Sequence, residues 1–163
     1  MKAKRNISAP RRLLRRRVLL VNGLTHWRYA IRNRINRTRD LKVCGEANGE
    51  QAGLSEIERL HPDVVLTEIM RPQDLAFIRE LHRRYRHLPI LAFSFRDEEA
   101  YAPRVLEAGA RGYLMKSVDG DTLVAGIRMV LAGRVVLSRV MLVRLRGKKL
   151  GQDAIHNGMQ PAN

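Results

Sequence analysis

A chain of 163 residues, 45% of them hydrophobic, is long enough for one domain with a real core. Lys and Arg number 31 against 16 Asp and Glu, a formal charge of +15 that points to anionic partners and says nothing about fold. No apolar run approaches the roughly 20 residues of a membrane span. The single cysteine, Cys44, excludes an internal disulfide framework, so a reducing, cytoplasmic setting is expected.

Residues 1–17, MKAKRNISAPRRLLRRR, carry eight basic residues and no acid, without the long apolar centre of a secretory signal. Residues 1–15 read as a disordered basic arm. Residues 2–17 could contact nucleic acid or an acidic surface, or be a solvated tail. Five short apolar runs follow: RVLLV (17–21), LKVCGEA (41–47), DVVLTE (63–68), PILAFS (89–94) and RGYLM (111–115). Most are nearly continuous rather than alternating, as in strands covered on both faces. Cys44 lies in the second of them as a small hydrophobe. Helical spacing fills the intervals 25–38, 51–60, 74–87, 98–108 and 121–132. Trp27, Ala30, Ile31 and Ile35 share one face of the first, and Leu75, Phe77, Ile78, Leu81 and Tyr85 form a stripe on the third. Gly109 and Gly133 stand where helices stop. The order predicts a strand-helix unit repeated five times over 16–134, an open α/β sheet with helices on both faces. Residues 135–150 predict a helical extension, capped by Ser138 and apolar at Met141, Leu142 and Leu145. Residues 151–163 read as a disordered tail.

In such sheets chemistry gathers at the carboxyl ends of the strands. That rim collects Asn22 and Gly23 after the first strand, Glu68 ending the third, Ser94 ending the fourth and Lys116 after the fifth. Glu68 is the lone acid closing HPDVVLTEIM. Ser94 could instead cap the helix that follows, in S-F-R-D-E, and Tyr113 could be plain core packing.

The stretches RRVLLV, VCGEANGEQA, HPDVVLTEIM, LPILAFSFRDEEAYAPRVLEAGARGYLMKS and the later GRVVLS resemble the receiver domain of two-component response regulators of the NarL/LuxR type. The resemblance spans about residues 16–138 and is most specific between Leu88 and Ser117. It implies a flavodoxin-like (βα)5 three-layer sandwich, a central parallel sheet in strand order 2-1-3-4-5. It also implies a chemistry. An acidic pair and an aspartate hold Mg²⁺, the aspartate takes a phosphoryl group from a histidine kinase, and a lysine and a hydroxyl grip that group. An aromatic then turns inward, and the face of the fourth helix, fifth strand and fifth helix changes partners.

Lys116, Ser94 and Tyr113 match the grip and the switch aromatic. The acidic-pair positions hold Asn22 and Gly23, the acceptor position holds Glu68, and the loop IMRPQD is about two residues short of the family pattern. Mg²⁺ needs carboxylates and phosphate oxygens, so its site is expected to be lost and no metal or other cofactor is expected. Glutamate is one methylene longer than aspartate. Its carboxylate reaches roughly one C–C bond, ~1.5 Å, further towards Ser94 and Lys116, and the expectation is a Glu68–Lys116 pair that fixes the rim without phosphorylation.

The five histidines show no metal-binding spacing, there is no phosphate loop or Ser-His-Asp set, and no catalytic residue or enzyme activity is expected. Only 13 residues follow Leu150, too few for a helix-turn-helix. The reading is therefore an atypical, stand-alone receiver, or pseudo-receiver, that binds a protein partner or a second copy through the fourth-helix, fifth-strand, fifth-helix face. The alternative is a nucleic-acid-binding regulator that uses its basic arm on the same scaffold.

Overall fold

The computed structural model describes residues 14–21 and 25–147. Asn22 and Gly23, most of the basic arm and the 151–163 tail lie outside the described residues. The elements run β1 (Arg16–Val21), α1 (Thr25–Asn36), β2 (Leu41–Ala47), α2 (Glu50–Leu60), β3 (Val64–Glu68), α3 (Asp74–Arg84), β4 (Ile90–Ser94), α4 (Glu98–Glu107), β5 (Gly112–Met115) and α5 (Gly120–Leu131). A further helix, α6, covers residues 139–147.

The five strands form one parallel sheet in the order β2-β1-β3-β4-β5, the flavodoxin-like arrangement. Every residue of β3 and β4 is buried, which is why the runs 64–66 and 90–93 are continuously apolar rather than alternating, with polar residues only at the carboxyl ends. Period-2 geometry divides each strand between two cores. Val65, Ile90, Ala92 and Tyr113 pack with α2, α3 and α4 residues such as Ile57, Phe77, Ile78 and Val105. Leu66, Leu91, Phe93 and Leu114 pack with Ile31, Ile35, Leu123 and Ile127 of α1 and α5.

The helix stops expected at Gly109 and Gly133 have φ of +107° and +79°, the left-handed conformation that suits a residue without Cβ. The expected helix 74–87 ends instead at Arg84, where Tyr85 leaves helical geometry.

Residues 135–137 extend the sheet beyond β5. Val136 bridges Gly112 in parallel, accepts from the Tyr113 amide at 2.8 Å and donates to Arg111 O at 3.0 Å. A Cβ on Gly112 would lie 2.7 Å from the Val136 side chain, so the close approach depends on glycine. Ser138 caps α6, its hydroxyl accepting from the Met141 amide at 3.2 Å. Leu137 and Met141 are buried in the main core. The Ser138 amide donates to Glu98 at 2.7 Å and Arg144 pairs with Glu99, so α6 lies against the start of α4.

Candidate functional site

Parallel strands end on one side of the sheet, so Glu68, Ser94 and Lys116 meet at a single rim. Lys116 is held there by its amide, which donates to Ser94 O at 2.8 Å. Its ammonium makes a short hydrogen-bonded ion pair with Glu68 Oε1. The pair is sequestered from solvent, with side chains 1% and 7% exposed.

Three rings enclose the ammonium. Its Nζ lies 5.2 Å from the Trp27 centroid, 5.8 Å from Phe93 and 5.0 Å from Phe95. Trp27 meets Phe95 edge-on at 5.4 Å and Phe93 at 6.4 Å. Ring faces attract a desolvated cation by up to about 2 kcal/mol, which offsets part of the cost of burying it. The cage follows from alternation. Phe93 and Phe95 are two residues apart and lie on the α1 side of the rim with Glu68, whereas Ser94 between them points the other way. Sequence reasoning expected Trp27 near the rim, just past positions 22–23, but missed Phe93 and Phe95. The Phe-Ser-Phe spacing was the available signal, but Trp27 reaches it only through the tertiary fold.

The Ser94 hydroxyl therefore does not face the ammonium. It donates to Ile69 O and accepts from the Arg96 amide at 3.0 Å, closing a turn after β4. Nor does it cap α4. That role falls to Asp97, which accepts from the Glu99 and Ala100 amides. Tyr113 is fully buried, its hydroxyl donating to Arg96 O at 2.5 Å. Burial pushes its phenol up to about 12.

Asp74, which sequence reasoning did not single out, shapes the loop after β3. Its buried carboxylate accepts from the Met70 and Arg71 amides, both at 2.8 Å. Its position directly after Pro72-Gln73, opening a helix, was the legible sign.

A cavity of about 20 Å³ lies beside the pair, bounded by Trp27, Arg28, Glu68, Phe93 and Lys116. That is room for about one water and not for a phosphoryl group. Glu68 Oε2 and Arg28 Nε are buried without a hydrogen-bond partner, and Arg28 Nε lies 3.9 Å from Glu46 in an ion pair. The donors present do not fit Mg²⁺. One Glu68 oxygen is committed to an ammonium, a guanidinium stands close by, Asp74 is committed to backbone amides, and Asn22 and Gly23 carry no carboxylate. Among the described residues no group of three or more His, Cys, Asp or Glu could hold a metal ion, and no helix is long and apolar enough to cross a membrane.

Comparison with known proteins places this rim in a family. Residues 18–128 match the family model "Response regulator receiver domain". The chain is 32% identical over 143 residues to the response regulator GacA of Pseudomonas viridiflava, covering 86% of this chain and 66% of that protein. It is 27% identical over 150 residues to the nitrate/nitrite response regulator protein NarL of Escherichia coli K12, covering 88% and 69%. The crystal structure of a LuxR-family two-component response regulator from Aurantimonas sp. SI85-9A1 superposes with a TM-score of 0.75 at 27% identity, over 84% of this chain and 99% of that one. The chain spans half to two-thirds of the length of the curated relatives it matches. It belongs to the response regulator receiver domain family, of NarL/LuxR type.

Proposed function

We propose that this receiver works in two-component signalling without being phosphorylated, and that its output is protein–protein contact through the face of α4, β5 and α5. In the acceptor position, Glu68 would serve as a permanent, imperfect stand-in for a phosphoryl group, with about one negative charge against roughly two. The observation that carries the reading is the closed state of the rim. The ammonium that would grip a phosphoryl group is already paired with Glu68, sits under Trp27 and Phe95, and leaves about 20 Å³ beside it.

The inward Tyr113 supports the same reading. Its hydrogen bond to Arg96 O joins β5 to the segment leading into α4, so the rim and the partner face form one packed unit. Met129 stays exposed on α5 and Val135 stays exposed beside β5. α6 covers the start of α4, which leaves the remainder of the face to a partner protein or a second copy.

Incubation with Mg²⁺ and a small phosphodonor such as acetyl phosphate, followed by intact mass, tests this. The expected result is no added phosphoryl group. A stable adduct that disappears in Glu68→Gln would return the protein to conventional switching. Trp27 is an internal reporter, since its ring touches the ammonium, and beryllofluoride with Mg²⁺ is expected to leave its fluorescence unchanged.

A further inference from the structure

The foot of the sheet, opposite the rim, holds a feature that receiver signalling does not use. An open cleft of about 420 Å³ lies between the starts of β1, β3 and β5, lined by Arg16, Asp63, His87 and Arg111 over an apolar floor that includes Leu88 and Val130. A second cleft of about 310 Å³ shares Leu88 and Arg111 with it and adds His82, Arg86 and Glu107. Together they form one track across the strand starts, with three arginines and two histidines against two carboxylates.

Arg16 and Asp63 neutralise each other in a 3.0 Å pair, which leaves Arg86 and Arg111 against Glu107. Among the described residues, the Arg86 and Arg134 side chains make no ion pair or hydrogen bond, and Arg111 has only a 3.4 Å contact to Gly133 O. The bland explanation is that cations collect at helix C-termini to complement the macrodipole. It accounts for Arg83 and Arg84, which sit in the last turn of α3 and both pair with Glu80. It does not account for Arg111, at the start of a strand, or Arg86, in a loop past the helix end.

We infer that the foot of the sheet binds the phosphodiester backbone of nucleic acid, with Arg86 and Arg111 as the contacts. A single small anion would call for converging donors. Here the cations are strung along an open track with apolar floor between them, which suits phosphates separated by sugars. Among the described residues no helix is presented at this surface in the manner of a base-reading motif, so the binding proposed is sequence-independent and steeply salt-dependent. This inference is independent of the phosphorylation reading, because the two sites lie at opposite ends of the strands.

The test is fluorescence anisotropy with a labelled random-sequence DNA duplex, titrated with the full chain between about 50 and 200 mM KCl. The double variant Arg86→Glu, Arg111→Glu is compared with Arg79→Glu, Arg146→Glu. Both remove the same charge, but the second pair is exposed and lines neither cleft. The foot variant should lose on the order of ten-fold in affinity at low salt. Its log K against log salt slope should become shallower by roughly 2, about 0.9 for each phosphate no longer neutralised. Arg86→Gln, Arg111→Gln should give the same change in slope with a smaller loss, and circular dichroism should show both variants folded. No binding by the parent chain at about 50 mM salt overturns the inference. Equal losses in foot and control variants also overturn it, since general attraction by net charge would then be sufficient.

Discussion

Lys116 is costly to bury alone and tolerable in company. Its partners are one carboxylate oxygen and three rings, and removing either member of the ion pair leaves the other charge unsatisfied in a dry site. Glu68→Leu and Lys116→Met singly should each cost about 3–5 kcal/mol, whereas the double variant should cost far less than their sum. Urea denaturation of the four proteins measures this coupling. Additive losses would show that the pair contributes nothing jointly. Tyr113 gives a second residue-scale prediction. Burial raises its folded pKa to about 12 above an unfolded value near ~10. The protonated phenol therefore stabilises the fold fully below about pH 10, and that contribution is lost as pH climbs through about 12. Two units correspond to roughly 3 kcal/mol at most. Tyr113→Phe cannot ionise, so its unfolding free energy should fall less steeply between about pH 10 and 12 than that of the parent chain. Parallel pH profiles would mean that the phenol is not protected.

The helix after α5 shows how elements outside the five-fold repeat are held. α6 rests on α4 through Leu137, Met141, the Ser138 cap and the Glu98 and Glu99 contacts, while Val140 and Val143 on its other side are 66% and 65% exposed. Ser138→Ala removes a cap worth about 1 kcal/mol. Amide hydrogen exchange across residues 139–147 should then accelerate by about five-fold with the global unfolding transition unchanged, because α6 opens locally. Exchange rising equally throughout the chain would show α6 to be part of the global cooperative unit. The sequence made this helix and its cap legible because Ser138 precedes an apolar period of three to four residues, and the five strands were legible because runs buried on both faces leave no alternation to misread. Long-range consequences were less visible. The Glu68–Lys116 encounter could be read because parallel strands share a rim. The Trp27–Phe93–Phe95 enclosure needs α1 to return over β4, which no local spacing encodes. In S-F-R-D-E only Ser94 was read as a possible helix cap, but Asp97 takes the role because it directly precedes Glu98, while Ser94 is drawn to Ile69 O at the strand end.

Across the whole molecule the charges have a direction. Acids occupy the first turns of α2, α3, α4 and α5, as Glu50, Asp74, Glu98, Glu99 and Asp121, and bases occupy the last turns of α1 to α5. Since these helices run antiparallel to the strands, most first-turn acids lie towards the rim and most last-turn bases towards the foot, with Asp121 and Arg34 meeting in an ion pair. A net charge of +15 was evident from composition, but the sorting of charge along the described helices was not. Two salt effects compete in such a molecule. Exposed pairs such as Arg128 with Asp40 and Arg83 with Glu80 weaken when screened, but each is worth only about 0–1 kcal/mol. Screening also relieves repulsion among the unpaired cations, and with 15 more cations than anions that term should win. The urea midpoint is therefore expected to rise between about 20 and 300 mM KCl, as the screening length falls below about 10 Å, with a gain on the order of 1 kcal/mol. In Arg86→Glu, Arg111→Glu the foot repulsion is reduced, so the stability-against-salt curve should be flatter and start higher. A midpoint that fell with salt in the parent chain would mean that the surface ion pairs outweigh the repulsion, and that the foot cations are held by partners rather than left free for a polyanion.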